Sequence, residues 1–178
     1  QRHLSHADAR SEVHIGYART LVEQGRSADA HRQLDALIRQ APERPEAWLV
    51  RGALYADERN DAAAEADLQR YLGLLAAAEQ AEPGAEPPEG RDHARIMLAG
   101  IAERRGDLTA AEQLLASVDS PERALSVQTR RAQLLARQGR LDEGRQAIRA
   151  VPERGPDDAR LKLLAEAQLL RDHQQAQQ

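Results

Sequence analysis

The chain of 178 residues has no cysteine and no phenylalanine, and it carries a single tryptophan, methionine and lysine. Without cysteine there is neither a disulfide nor a thiolate metal site, although an oxidising compartment stays open. The aromatics are Trp48, Tyr17, Tyr55 and Tyr71, and β-branched residues are scarce. A sheet is therefore disfavoured, and a core of Leu and Ala points to an all-α fold. Charge of one sign is also missing, because 25 basic residues meet 29 acidic ones for a net −4. No global field draws nucleic acid or an anionic membrane to such a chain. No apolar run approaches the length of a membrane span, and no secretory leader is recognisable. Phosphate-loop, dinucleotide, zinc-protease and nucleophile-elbow motifs are all missing. His3 and His6 share a helical spacing that suits one metal ion, but terminal histidines without other ligands carry no metal expectation.

What is present is punctuation. The stretches "LVEQGRSADA", "YADERNDAAA", "IAERRGDLTA" and "LLARQGRLDEG" repeat a turn at Gly25, Arg59, Gly106 and Gly139, spaced by 34, 47 and 33 residues. Small residues recur at one offset before each turn (Ala18, Gly52, Ala99, Ala132) and at another after it (Ala30, Ala64, Ala111, Gly144). Two helices cross closely where such residues face each other, so each turn joins a helix A to a helix B. At the turns glycine tolerates the left-handed backbone; Arg59 departs from this, and Asn60 is expected to help there instead.

A helix–turn–helix unit of this period resembles the tetratricopeptide repeat. Trp48, Gly52 and Tyr55 match its signature, Ala64 and Leu68 match its second helix, and Pro42 stands at the inter-repeat proline, while Arg51 replaces the usual Leu. The resemblance implies an all-α solenoid, a right-handed superhelix of about ten antiparallel helices, with Trp48 largely buried. The expected units are 11–44, 45–78, 92–124 and 125–157 in a single array over 1–178. Residues 1–10 read as the tail of an earlier helix B, and 158–173 as helix A of a truncated fifth unit. Between units two and three, the Pro- and Gly-containing acidic stretch 79–91 reads as an insert after a helix that runs to about Ala81, with Pro83, Pro87 and Pro88 forbidding helix and Gly84 and Gly90 loosening the chain. It serves as a solvated connector or, alternatively, as a clasp over a groove.

In this family helix A lines the inner, concave face. Carried over residue by residue, the resemblance implies a groove of Ile15, Arg19, Leu49, Val50, Ile96, Met97, Arg130, Gln133 and Arg137, with Glu12 and Ala53 beside them. Its centre is apolar and its later part basic, through Arg130 and Arg137. The nine arginines against five acids over 123–160 agree with an acidic partner, but agree better with a solvated face of Arg–Glu pairs. The family's carboxylate clamp for chaperone tails is not reproduced, since Ile15, Arg19 and Val50 occupy its positions. The implied partner is a protein or peptide, namely an amphipathic or apolar segment with acidic residues. Alternatively, the same side chains only pack neighbouring A helices.

The leading expectation is a non-catalytic binding scaffold or adaptor without cofactor or metal. The alternative is a structural spacer or self-assembling array, and an enzyme stands a distant third. Arg-rich, Cys-free arrays with irregular inserts resemble repeat lipoproteins of proteobacterial envelopes, some of which are adaptors for a carboxy-terminal processing protease. That resemblance implies a bacterial chain in the periplasm or envelope, with the cytoplasm as the other option. Because it starts without Met, the chain reads as a piece of a longer one. In the last helix Leu161, Leu164 and Ala165 are expected to face the preceding unit, leaving Leu163, Leu169 and Leu170 outside. Copies would then associate end to end, or through this helix.

Overall fold

The computed structural model describes residues 6–84, 88 and 90–176. Among the described residues there are nine α-helices, one 3-10 turn at Pro121–Arg123 and no strand. The helices are α1 His6–Glu23, α2 Ser27–Gln40, α3 Pro45–Asp57, α4 Asp61–Ala81, α5 Gly90–Arg104, α6 Leu108–Ala116, α7 Ala124–Arg137, α8 Leu141–Arg149 and α9 Asp158–Ala176. The chain divides into two compact units, Gln1–Ala94 and Arg95–Gln178, with the division inside α5 rather than in the Pro-rich insert.

Each helix pair is closed by the same turn. The amide after the turn residue reaches back to a carbonyl five positions earlier: Arg26 to Leu21, Asn60 to Tyr55, Asp107 to Ala102 and Arg140 to Leu135, at 2.8–2.9 Å. This is the Schellman closure, which needs a left-handed residue. Gly25, Gly106 and Gly139 supply it at φ 72°, 81° and 79°. At the second turn Arg59 itself takes φ 61°, while the Asn60 side chain accepts from Ala63 N and caps α4. Asn60 thus starts the helix and leaves the backbone strain to Arg59. Asp107 caps α6 in the same way, accepting from Ala110 N at 2.9 Å.

The small residues sit where the helices cross. Ala18, Ala30, Ala64, Ala99, Ala111 and Ala132 are fully buried. At Gly144 a Cβ would lie 2.8 Å from the Ala132 carbonyl oxygen, so α7 and α8 touch backbone to backbone. At Gly52 the nearest atoms belong instead to the Leu68 side chain, at 3.0 Å.

Counting from these small residues separates the faces of each helix A. The stripe three before, at, and three after the small residue meets the helix that follows; in α1 it is Ile15, Ala18 and Leu21, all buried. A second stripe, at five before, one before and two after, meets the preceding pair. In α3 this stripe is Ala47, Arg51 and Leu54, and in α7 it is Val127, Arg131 and Leu134. In α1 the same positions hold Val13 and Tyr17, which are 71% and 49% exposed.

Several expectations are corrected. His6–Arg10 form no separate helix B but the first turns of α1, and residues 1–5, including His3, lie outside the described residues. Gly90 does not loosen a loop: it opens α5, close enough that a Cβ would lie 2.6 Å from Leu49 and 2.5 Å from the Tyr71 hydroxyl. Residues 85–87 and 89 of the insert lie outside the described residues. Trp48, by contrast, keeps its expected place against the core: its ring lies over the cluster of Ile15, Leu37, Ile38 and Ala47 while Nε1 donates to Pro42 O at 2.9 Å.

The last helix departs furthest. α9 buries Glu166 and Leu169 against α7 and α8, while Leu161 and Leu164 are exposed. The buried stripe of Lys162, Glu166 and Leu169 has the offsets of the second stripe if Ala167 takes the small-residue position. A polar residue therefore sits where an apolar one was expected, which is why counting leucines chose the wrong face.

Candidate functional site

Successive A helices in each unit leave a third face free, at the positions two before and one, four and five after the small residue. In the first unit this face forms a cleft of about 330 Å³ between α1 and α3. Val22, Leu49, Val50, Ala53 and Leu54 give it an apolar floor, and Arg19, Glu23 and Asp57 stand along its rim, with His93 at one end. In the second unit the matching cleft lies between α7 and α9 and holds about 860 Å³. Leu108, Ala136 and Leu169 form its floor, with Gln133, Arg137, Glu103, Asp172 and His173 around it. The register makes the two equivalent: Arg19, Val22, Glu23, Leu54 and Asp57 of the first correspond to Gln133, Ala136, Arg137, Leu169 and Asp172 of the second.

The nine residues proposed from sequence are divided by this geometry. Arg19, Leu49 and Val50 line the first cleft, and Gln133 and Arg137 the second. Ile15 is only 7% exposed and belongs to the core with Leu37 and Ile38. Ile96 packs against the Ala99–Leu115 cluster, and Met97 is half-buried. The physical reason is angular: three before the small residue lies on the stripe that meets helix B, about 60° from it around the helix. Leu49, at the same offset, is shared between cleft and core.

The basic flank is also less basic than its arginines imply. Glu103 accepts from Arg130 at 2.9 and 3.3 Å and from Arg137 at 3.1 Å, so one carboxylate holds both guanidinium groups. Glu103 was missed from sequence. Its signal was a spacing of one period, since Glu103 and Arg137 are 34 residues apart.

Beneath the clefts the helix pairs are joined by arginine–carboxylate contacts at the one-before position. Arg51 grips Asp67 with two parallel bonds, at 2.7 and 2.8 Å, and reaches Asp35 of α2 at 2.6 Å. Asp67 is buried, and the hydrogen bonds that Arg51 donates to Asp67 and to Asp35 push the Arg51 pKa above the usual arginine value despite burial. The guanidinium also lies 5.1 Å from the Trp48 ring centre. This explains the departure at Arg51, because Leu98 fills the same position as a buried apolar residue in α5. Arg131 repeats the join by donating to buried Glu112 of α6 at 2.5 Å. In α9 the sign is reversed: Glu166 accepts from Arg145 at 2.7 Å and from Arg149 at 2.8 Å, both on α8. The Arg149 and Arg145 hydrogen bonds hold the Glu166 carboxyl below the ordinary glutamate range.

Among the described residues no cluster of three or more His, Asp or Glu side chains is arranged to hold a metal ion, and no helix is long and apolar enough to cross a membrane. No curated protein matches the chain. The tetratricopeptide repeat pattern matches residues 17–82 and 110–159, more than half of the sequence. With its helix pairs, Schellman turns and buried small-residue crossings in the matched segments, the chain belongs to the tetratricopeptide repeat family.

Proposed function

We propose that the chain is a non-catalytic scaffold that holds a protein segment in the clefts between its A helices. Tetratricopeptide repeats generally mediate protein–protein interaction and are generally non-catalytic. The observation that carries the reading is the recurrence of one cleft, with an apolar floor and a charged rim, in both units. An extended or helical segment with small apolar side chains fits the floor, and rim charges of both signs select its flanks. The rim of Arg19, Glu23 and Asp57 shifts the partner from a purely acidic segment toward one of mixed charge. A narrower form places the chain in the bacterial envelope as an adaptor for a carboxy-terminal processing protease; its support is limited to composition and the irregular insert.

The test is a peptide library selected on the intact chain. Ala53→Glu fills the first cleft and Gln133→Trp the second; Gln133 is exposed and Ala53 is half-buried at the cleft floor, outside the core, so the fold should persist by circular dichroism. Selected peptides should lose at least tenfold in affinity for one of these variants. Unchanged affinity for both would remove the clefts as the binding surface. The competing reading, a self-assembling spacer, is favoured by one observation: Leu161, Leu163 and Leu164 of α9 are 42%, 69% and 57% exposed.

A further inference from the structure

The floors of the two clefts match, but their ends beside the turns do not. In the second cleft that end holds Arg137, in the last turn of α7, which already donates to Glu103 at 3.1 Å, and Asp172, which accepts from Gln168 of its own helix. In the first cleft the same two positions are Glu23 and Asp57, the last residues of α1 and α3. Neither helix has a basic residue in its last turn, whereas the later A helices α5 and α7 end on Arg104 and Arg137. Among the described residues neither Glu23 nor Asp57 has a side-chain hydrogen bond or ion pair. A helix C-terminus is the negative end of its dipole, so two carboxylates there raise the energy of the free chain. A cation placed at this end would relieve both. We propose, resting on the clefts as binding sites, that the first cleft selects a protein segment with a lysine or arginine side chain, its charge lying between Glu23 and Asp57.

Shape points to the same occupant as charge. The cleft is walled by α1 and α3, both described, so its form does not depend on what precedes or follows the chain. Val22 adjoins Glu23, and Leu54 stands one turn before Asp57, so the apolar floor runs up to the acidic end. A lysine or arginine lays its methylene stem over such a floor while its head reaches the rim. A free amino terminus has no stem and would leave Val22 and Leu54 uncovered. Glu23 and Asp57 are exposed, so the cation keeps part of its hydration and the pairing escapes the full cost of desolvation. Arg19 lies one turn before Glu23 and is likewise without a side-chain partner among the described residues. Arginine ahead of glutamate is the weaker order for a pair at this spacing, which leaves both groups available to a ligand. Arg19 therefore donates to an acidic side chain or a carbonyl of the segment, and a wholly basic segment is disfavoured. The second cleft, with Arg137 at the position of Glu23, has no such preference.

A randomised peptide library panned on the intact chain, on Ala53→Trp and on Gln133→Trp sorts binders by cleft; Ala53→Trp blocks the first floor without adding a third acid. Peptides lost on Ala53→Trp should carry lysine or arginine close to an apolar residue, and those lost on Gln133→Trp should show no such enrichment. Affinity of the first set should fall at least tenfold for the double variant Glu23→Gln, Asp57→Asn, and by the same factor when the peptide's basic residue becomes methionine. The two changes together should cost little more than either alone, because they remove one contact. In urea the double variant should be at least as stable as the parent, which separates a lost contact from a lost fold. Glu23→Lys with Asp57→Lys should turn the selection toward aspartate or glutamate. First-cleft peptides without a basic residue overturn the proposal, as does their full affinity for Glu23→Gln, Asp57→Asn, and the clefts remain binding sites in both cases. If Ala53→Trp removes no peptide, the first cleft is not a binding site and the proposal falls with it.

Discussion

The first unit joins its helix pairs with one charge polarity, whereas the second uses both. In the first, Arg51 on helix A reaches back to Asp35 of the preceding helix B and across to Asp67 of its own. In the second, Arg131 repeats that polarity on Glu112, but α9 carries the acid, and Arg145 and Arg149 come from the preceding helix B. The join is therefore defined by geometry, whereas its sign is free to alternate. Alternation has a consequence: seating α9 on α2 or α6 would press Glu166 against Asp35 or Glu112. Repeats of similar shape are in this way told apart by charge, much as register is specified by polar positions in coiled coils.

The joins also differ in burial, which orders the effects of breaking them. Arg51 and Asp67 side chains are 16% and 7% exposed, while Arg145 and Arg149 are 32% and 58% exposed against Glu166 at 10%. Arg51→Leu restores the family's usual residue but strands a buried carboxylate, so it should cost about 3 kcal/mol in urea unfolding. Adding Asp67→Ala should recover most of that loss. If Arg51→Leu is neutral by itself, the ion pair is not what holds α3 on α2.

Glu166→Gln should cost less, about 1–2 kcal/mol, because the two arginines left behind already reach solvent. The charge-swapped triple variant Glu166→Arg, Arg145→Glu, Arg149→Glu should regain part of the loss, which tests directly whether sign is free. The same join responds to acid. The Glu166 carboxyl is depressed by its arginines, and Asp158 is depressed by the Arg154 and Gly155 amides that it accepts at 2.6 and 2.8 Å. A depressed folded pKa contributes stability that is complete above the unfolded value and lost as pH falls through the folded one. Hydrogen exchange should show α9 fully protected at neutral pH and loosening below the ordinary carboxylate range. Protection unchanged through that window would contradict the role of both carboxylates.

The crossings give a smaller contrast. Gly144→Ala gains helix propensity but drives a methyl into the Ala132 backbone, for a net cost of about 1–2 kcal/mol. Gly52→Ala meets the Leu68 side chain and the Asp67 Cβ at 3.0–3.2 Å rather than backbone, so it should cost less than Gly144→Ala, about 0.5–1 kcal/mol. A thermal-melt comparison of the two variants decides it. Arg59→Gly relieves the φ 61° backbone and should add about 0.5–1 kcal/mol, whereas Gly106→Ala should lose a similar amount at the equivalent turn.

Local features were the legible ones. Three of the four turns announced themselves by glycine, and the small residues marked the crossings, because backbone handedness and close approach each admit few side chains. The end of α4 at Ala81 was readable for a similar reason, since the prolines that follow cannot continue a helix. The arginine over-count was not correctable from sequence. Arg130 and Arg137 carry charge in any reading, and only the placement of Glu103 against both shows how much of it is cancelled.

Amino-acid sequence alone determined that this chain is all-α, that its helices pair at Ala18, Gly52, Ala99 and Ala132, and that it belongs with the tetratricopeptide repeats. Each of these follows from residue size, periodicity and turn chemistry, which act within one or two helices. Tertiary structure decided which face of each helix is buried where the polarity is mixed. It took Ile15 from the groove into the core, exposed Leu161 and Leu164, and buried Glu166 between two arginines. Hydrophobicity read along a chain ranks residues by type, but a paired carboxylate can occupy a core position and an unpaired leucine can be left outside. Only the identity of the neighbours distinguishes these cases, and neighbours are set by packing.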